Sequence, residues 1–222
     1  MNLLALDTST EACSCALYVS GESFSRSEIA PRQHAELILP MVDNLLAEAE
    51  LSPNQLDGIA FGKGPGSFTG LRIACGVVQG MAFGLDIPVI PISSLATLAQ
   101  LAYIEHQWLH VAAAIDARMQ EVYWGCYALD DNQLMQLRGE EQVCPPQSAS
   151  LPFSANWMGM GSGWHTYHEL LTSTLGDMEM QKDSYPLAFA MLPLAVDAFQ
   201  KGQMVTPENA LPTYLRNNVV HV

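Results

Sequence analysis

Positive charge is scarce in this chain. Nine Lys and Arg stand against 23 Asp and Glu in 222 residues, a net charge of −14. The deficit is even: residues 1–111 carry 11 acids and 4 bases, and residues 112–222 carry 12 and 5. No basic stretch interrupts it. Phosphate attraction supplies most of the affinity in nucleic-acid binding, so independent binding of nucleic acid is disfavoured. Charge of both signs is thin, 14 % of residues against a typical value of about 25 %, which suits a surface partly covered by a partner. The five cysteines are Cys13, Cys15, Cys75, Cys126 and Cys144. Their odd number and the absence of a CxxC pair exclude a disulfide framework and a zinc knuckle. They read as small buried residues of a reducing, cytoplasmic compartment. No apolar run approaches the ~20 residues of a membrane span. The start, MNLLALDTST, lacks a basic n-region, and Asp7 ends its apolar run. HExxH and GxSxG are missing. The spaced pairs His106/His110 and His165/His168 have no third ligand beside them, so solvated or structural imidazoles are expected.

Apolar residues make up 49 % of the chain, enough for one large domain or two small lobes. Alternation and turn residues predict strands over Asn2–Leu6, Ala12–Val19 and, more weakly, on to Ile29. Leu37, Ile38, Met41, Val42, Leu45, Leu46 and Ala49 recur at helical spacing, with Pro40 inside as a kink or break. A strand follows at Gly58–Gly62, a helix at Ser67–Leu85, a strand at Pro88–Ile92, and a helix capped by Ser93 or Ser94 and ending near Ala102. The order is βββαβαβα, an α/β chain with a mixed sheet. Tyr103–His110 reads as a connector. The second half repeats the theme: strands at Val111–Ile115 and Glu121–Leu129, a third toward Val143, a short one at Trp157–Gly159, a helix from about Trp164, and a helix near Leu187–Gln200 containing Pro193. A strand-ending aspartate opens a turn at Asp7 and again at Asp116. A Gly-x-Gly-Ser loop enters a helix at Gly64–Ser67 and again at Gly159–Ser162. This echo implies duplication: an N-terminal lobe over 1–105 and a smaller one over 106–222, with a cleft between.

Three features carry candidate chemistry. Asp7, Thr8, Ser9 and Thr10 form a hydroxyl-rich turn at a strand end. It suits either a phosphate held on backbone N–H groups or an Asx-turn that closes a hairpin. GlyLysGlyProGlySerPheThrGly, 62–70, lacks the Gly-Lys-Ser/Thr of a nucleotide P-loop. It still leads into a helix start, which suits an anion or simply a turn capped by Ser67. In the helix that follows, Gly76, Gly80 and Gly84 recur every four residues. Each costs roughly 1 kcal/mol against Ala, so either close packing on the sheet or close approach of a second chain should compensate.

Four segments, LeuAlaLeuAspThrSerThr, GlyProGlySerPheThrGlyLeuArg, IleAspAlaArg…GluValTyr and ProThrTyrLeuArg, stand in this order across almost the whole chain. In them the sequence resembles the TsaB (YeaZ) family of the bacterial tRNA threonylcarbamoyladenosine pathway. The resemblance implies two RNase H-like lobes of the actin, heat-shock ATPase and sugar-kinase (ASKHA) superfamily. It also implies a non-catalytic scaffold for the paralogue TsaD, which transfers threonylcarbamoyl from its adenylate to adenosine at tRNA position 37, with the small ATPase TsaE joining the complex. Aligned on ProValIleProIle, the metal-binding His-x3-His of TsaD falls on Ser94 and Leu98, neither of them a ligand. Thr8 and Ala117 stand where a full phosphate turn has glycine, so Asp7, Thr8, Ser9, Thr10 and Asp116 are degenerate phosphate-loop positions. No metal and no cofactor are expected beyond a residual nucleotide in the cleft, and the alternatives to a scaffold are an ATP-binding ATPase or transferase that uses the Asp7 and Asp116 turns and, less favoured, a peptidase. The expected partner face comprises Leu37, Met41 and Leu45 on one helix and Leu71, Gly76, Gly80 and Gly84 on the next. It would serve a heterodimer with TsaD or, alone, a homodimer, without tight tRNA binding or membrane contact.

Overall fold

The alternation of the first strand sets the layering. In the computed structural model, which describes residues 1–216, β1 (Asn2–Asp7) sends Leu4 and Leu6 into one apolar cluster and Leu3 and Ala5 into another. That is the period of two that a pleated strand imposes. β1 pairs antiparallel with β2 (Ala12–Val19), and β2 with β3 (Glu22–Ile29). On its other side β4 (Gly58–Gly64) and β5 (Val89–Ser93) add in parallel, giving the order β3-β2-β1-β4-β5. β3 is the outer strand, and its exposed Ser, Glu and Arg side chains suit an edge facing water.

Two helices cover the Leu4/Leu6 face. α1 (His34–Glu48) buries Ile38, Val42, Leu45 and Leu46, and α2 (Phe68–Leu85) buries Ala74, Cys75, Val78 and Ala82. These residues recur every three or four positions, the spacing of a one-sided helix. α1 runs on through Pro40, which is exposed, so water can serve the carbonyl that proline leaves unpaired. α2 corrects the expectation about apolar length. With 18 residues it is long and apolar enough to cross a membrane, but one face packs on the first sheet and it carries Arg72.

The second sheet reproduces the first. β6 (His110–Asp116), β7 (Val122–Leu129) and β8 (Met135–Leu137) are antiparallel neighbours, and β10 (Met158–Met160) and β11 (Met180–Gln181) add in parallel beyond β6. Read from β8, the order is β8-β7-β6-β10-β11, the same winding as β3-β2-β1-β4-β5. The two-lobed α/β fold that the sequence implied is therefore present. One expected strand toward Val143 is two short ones: β9 (Gln142–Cys144) joins β8 in pairing with β7, because Gly139, at φ +96°, turns the chain between them.

Other boundaries shift. α3 (Ser94–His106) outruns its expected end, so the connector shrinks to 107–109. Its cap is Ser93, whose Oγ accepts from the Leu95 and Ala96 N–H groups at 3.1 and 3.3 Å. The helix expected from Trp164 starts at Ser162 and is broken at Tyr167 into α4 (Ser162–Thr166) and α5 (His168–Leu175). The last helix is α6 (Ala188–Gln200).

Two helices cross the line drawn at residue 105. α3 packs on the second sheet, where Leu95, Leu98, Ala99 and Ala102 meet Val111, Ala113 and Ile115. α6 packs on the first, where Ala188, Met191, Leu192 and Ala195 meet Leu3, Ala5, Ala16, Ala60 and Ile90. The Ser14 hydroxyl of β2 accepts the Ala188 N–H at 2.9 Å and fixes the start of α6. Ala190 reaches the α3 cluster, so the two helices lie together between the sheets. After α6 the chain returns over the first lobe. Val205 bridges Val89, and the buried Ala210 accepts from Gln79 Nε2 and Cys75 Sγ at 3.0 and 2.8 Å.

Candidate functional site

The AspThrSerThr turn closes the β1–β2 hairpin, and all four residues are buried. Asp7 Oδ1 accepts from the Ser9 N–H at 2.8 Å and the Ser9 Oγ–H at 2.6 Å, which is the Asx-turn. The 62–70 loop lies directly on it. A Cβ on Gly62 would fall 2.1 Å from Asp7 Oδ2, one on Gly66 2.3 Å from the Ser9 carbonyl, and one on Gly70 1.9 Å from the Thr8 carbonyl. The Ser67 N–H donates to the Ser9 carbonyl at 2.7 Å, and Thr8 Oγ1 donates to the Gly70 carbonyl at 2.7 Å. Glycines 66 and 70 thus serve close approach of two backbones. Ser67 caps α2, accepting the Gly70 N–H at 3.3 Å. Asp7 Oδ2 has no partner. Burial pushes the Asp7 carboxyl up to about 6, against the downward pull of the two Ser9 hydrogen bonds.

The second lobe repeats the turn with a different side chain in charge. Asp116 Oδ1 accepts the Arg118 N–H at 2.8 Å and the Tyr167 hydroxyl at 3.1 Å, while the Ser162 hydroxyl accepts the Asp116 N–H at 3.2 Å. Arg118 pairs with Asp116 at 3.0 Å and reaches across to Glu11 of the first lobe at 3.1 Å. Arg118, Met119 and Gln120 all hold left-handed φ values, 60°, 54° and 60°, at roughly 1–2 kcal/mol each for residues with a Cβ. The ion pairs hold one end of this turn, and Arg216, bonded to Glu121 and 3.4 Å from Met119 Sδ, holds the other. The GlyMetGlySerGly loop is as tight as the 62–70 loop: a Cβ on Gly161 would lie 2.4 Å from the Ala114 carbonyl and 2.6 Å from Leu98 Cδ2. Ser94 and Leu98 are fully buried on α3.

Between the lobes lies a cleft of about 750 Å³, walled by both turns, the starts of α1 and α2, and the C-terminal segment. The structure brings Ser9, Thr10 and Asp116 to this cleft, together with Arg32, His34, Arg118 and Arg216. Sequence reasoning passed over these four cations and imidazoles. The one available signal was Arg118, two residues after an aspartate that mirrors Asp7.

The expected partner face divides. Gly76, Gly80 and Gly84 are exposed on α2, and a Cβ on any of them would meet nothing within 4 Å. Phe83 beside them is 80 % exposed. Leu37 and Met41 are half-buried on α1, which packs beside α2. Leu45 and Leu71 do not belong to this face. They are 0 % and 1 % exposed and sit in the core, because helix periodicity turns them to the sheet. The imidazole of His106 lies tilted over Trp108 at 4.7 Å, and that of His110 meets Trp157 edge-on at 5.4 Å.

Comparison with known proteins adds to this geometry. Residues 25–220 match the family described as TsaD, tRNA N6-adenosine threonylcarbamoyltransferase. The tRNA threonylcarbamoyladenosine biosynthesis protein TsaB of Escherichia coli is 40 % identical over 99 % of this chain and 96 % of its own. The protein of the same name from Haemophilus influenzae is 44 % identical over 99 % and 95 %. The solved structure of YeaZ from Pseudomonas aeruginosa is 50 % identical, covers 96 % of this chain and 99 % of its own, and superposes with a TM-score of 0.92.

Proposed function

The chain belongs to the TsaB family, within the wider group that includes the TsaD transferases, and from that premise we propose that it acts in tRNA threonylcarbamoyladenosine formation as the non-catalytic scaffold that binds and activates TsaD, with TsaE joining the assembly. The supporting observation is the open glycine stripe. Gly76, Gly80 and Gly84 weaken α2, and among the described residues nothing lies within 4 Å of where their Cβ atoms would be. A partner helix laid along the stripe, beside Leu37 and Met41, supplies contact there and covers Phe83. The same face makes a two-fold homodimer when TsaD is absent, since an isologous contact uses one patch twice.

Loss of catalysis follows the same logic. Three features support this reading: the 62–70 loop presses on the Asp7 turn, Arg118 holds Asp116, and the resemblance sets Ser94 and Leu98 where TsaD has its metal-binding imidazoles. The chain then transfers no threonylcarbamoyl group alone, needs no cofactor of its own, leaves tRNA binding to TsaD, and works in the cytoplasm.

The test is sedimentation of wild type and Gly80→Leu, each alone and mixed with TsaD. The open space at Gly80 lets the variant fold, checked by circular dichroism. Both assemblies should weaken by roughly 1–3 kcal/mol, the cost of overpacking. Unchanged assembly of a folded variant would move the partner face elsewhere.

A further inference from the structure

The first-lobe wall of the cleft holds donors that the fold leaves idle. Thr10 and His34 line it, each 7 % exposed, and Thr10 Oγ1 and His34 Nε2 have no hydrogen-bond partner among the described residues. A buried polar atom without a partner costs about 1–3 kcal/mol, so two together mark a place built for something else to bind. Arg32, exposed on the same wall, makes no ion pair or side-chain hydrogen bond among the described residues. Two long helices begin there. α1 starts at His34 with no side-chain cap from Gln33, and α2 starts at Phe68. Their first N–H groups add partial positive charge.

All of these groups suit an anion, and the charge count selects its kind. Arg118 is held by Glu11 and Asp116, and Arg216 by Glu121. Asp183, on the opposite wall, pairs with His165 at 2.9 Å. Among the described residues that line the cleft Arg32 is the arginine without an acid partner, while Arg118 answers two carboxylates, so the cleft holds no surplus positive charge and favours the anion of lower charge. A dianionic phosphate would keep excess charge close to Glu11 and Asp116. A carboxylate brings the smaller charge, and its two oxygens fit the guanidinium fork. At the rim Phe68 and Tyr214 lie tilted with ring centroids 5.5 Å apart, with the Arg72 guanidinium 3.8 Å from the Phe68 ring centre and donating to the Tyr214 hydroxyl, an aromatic surface for the rest of the molecule.

We propose that Arg32, His34 and Thr10 form a binding site for the carboxylate of a small organic acid whose apolar part lies against Phe68 and Tyr214. The site takes in Thr10, the cleft-facing end of the Asp7 turn, and does not depend on the partner reading above.

Benzoate, acetate and phosphate, each titrated into the full chain at constant ionic strength, test this through backbone amide shifts in ¹H–¹⁵N spectra. Benzoate should give saturable shifts at Thr10, His34 and Phe68, with acetate weaker and phosphate weakest. Arg32→Gln should weaken benzoate about tenfold or more, the loss of a charged hydrogen-bond pair, and its exposed position spares the fold. Arg138→Gln removes a cation far along the sequence in the β8–β9 turn and should leave binding intact. Absence of saturation overturns the site. Phosphate binding as tight as benzoate overturns the carboxylate assignment, and equal loss in both arginine variants reduces the effect to general charge.

Discussion

Replacing Asp7 by Asn should stabilise this protein, and only at the higher end of the pH range. The carboxyl is fully buried, and its value rises from 3.8 to about 6. At 1.36 kcal/mol per pKa unit that rise corresponds to about 3 kcal/mol. The sign follows from proton counting. Between about pH 4 and 6 the folded chain keeps a proton that the unfolded chain has lost, so stability falls as pH rises through this window. Above about 6 the whole penalty is present, and below about 4 it is gone. Asparagine has the same shape, keeps an oxygen to accept the two bonds from Ser9, and removes the charge. Its NH2 group takes the place of Oδ2 against Gly62, where no partner exists, which offsets part of the gain. The expected difference is about 1–3 kcal/mol in favour of Asp7→Asn near pH 8, shrinking to nothing near pH 4. Urea unfolding of both proteins at several pH values measures it, and the difference between them cancels the titration of the other carboxyls. A variant less stable near pH 8, or a difference that does not change with pH, would refute the claim that burial dominates at this carboxyl.

Three further outcomes follow from the same geometry. Gly70→Ala should destabilise by about 3 kcal/mol or more, because its Cβ would sit 1.9 Å from the Thr8 carbonyl, whereas Gly80→Ala, in open space, should stabilise the monomer by up to about 1 kcal/mol; thermal unfolding of the two compares them directly. Ser14→Ala leaves the Ala188 N–H buried without its acceptor and should cost about 1–3 kcal/mol, read as a lower urea midpoint. The thiols should resist a disulfide reagent near pH 8 until the chain unfolds, since burial pushes Cys13 up to about 11 and Cys15 and Cys126 up to about 12; a fast phase in native buffer would contradict this.

The periodicities in the sequence located the strands and helices because each has one buried face. Leu3 to Leu6 and Ile38 to Leu46 report that burial directly. Lengths were less legible where polar residues continue an element, as at Glu105 and His106 of α3. The duplication was readable from two aspartates and two glycine loops, and the matching sheet orders carry it through the fold. The spacing that put Leu45 and Leu71 on the partner face could not separate a sheet-facing residue from an outward one, since both lie on the apolar side of a helix. The tie from Arg118 to Glu11 spans 107 positions, and no local pattern announces a contact that only the closed chain makes. The roles of Gly66 and Gly70 were hidden for the same reason: a loop that binds an anion and a loop that fills its own cradle share one composition.

The crossing of α6 into the first lobe has a consequence for how the chain is made. β5 ends at residue 93, and the helix that covers the Leu3, Ala5 and Ile90 face begins at 188. During synthesis the first sheet emerges complete, and one of its faces waits roughly 5 to 20 s for its lid at ordinary elongation rates. Neither half is then a unit that evolution or a protein engineer can cut out and keep: a gene fragment ending after the first sheet encodes a sticky slab, and the shortest heritable version of this fold runs past residue 200.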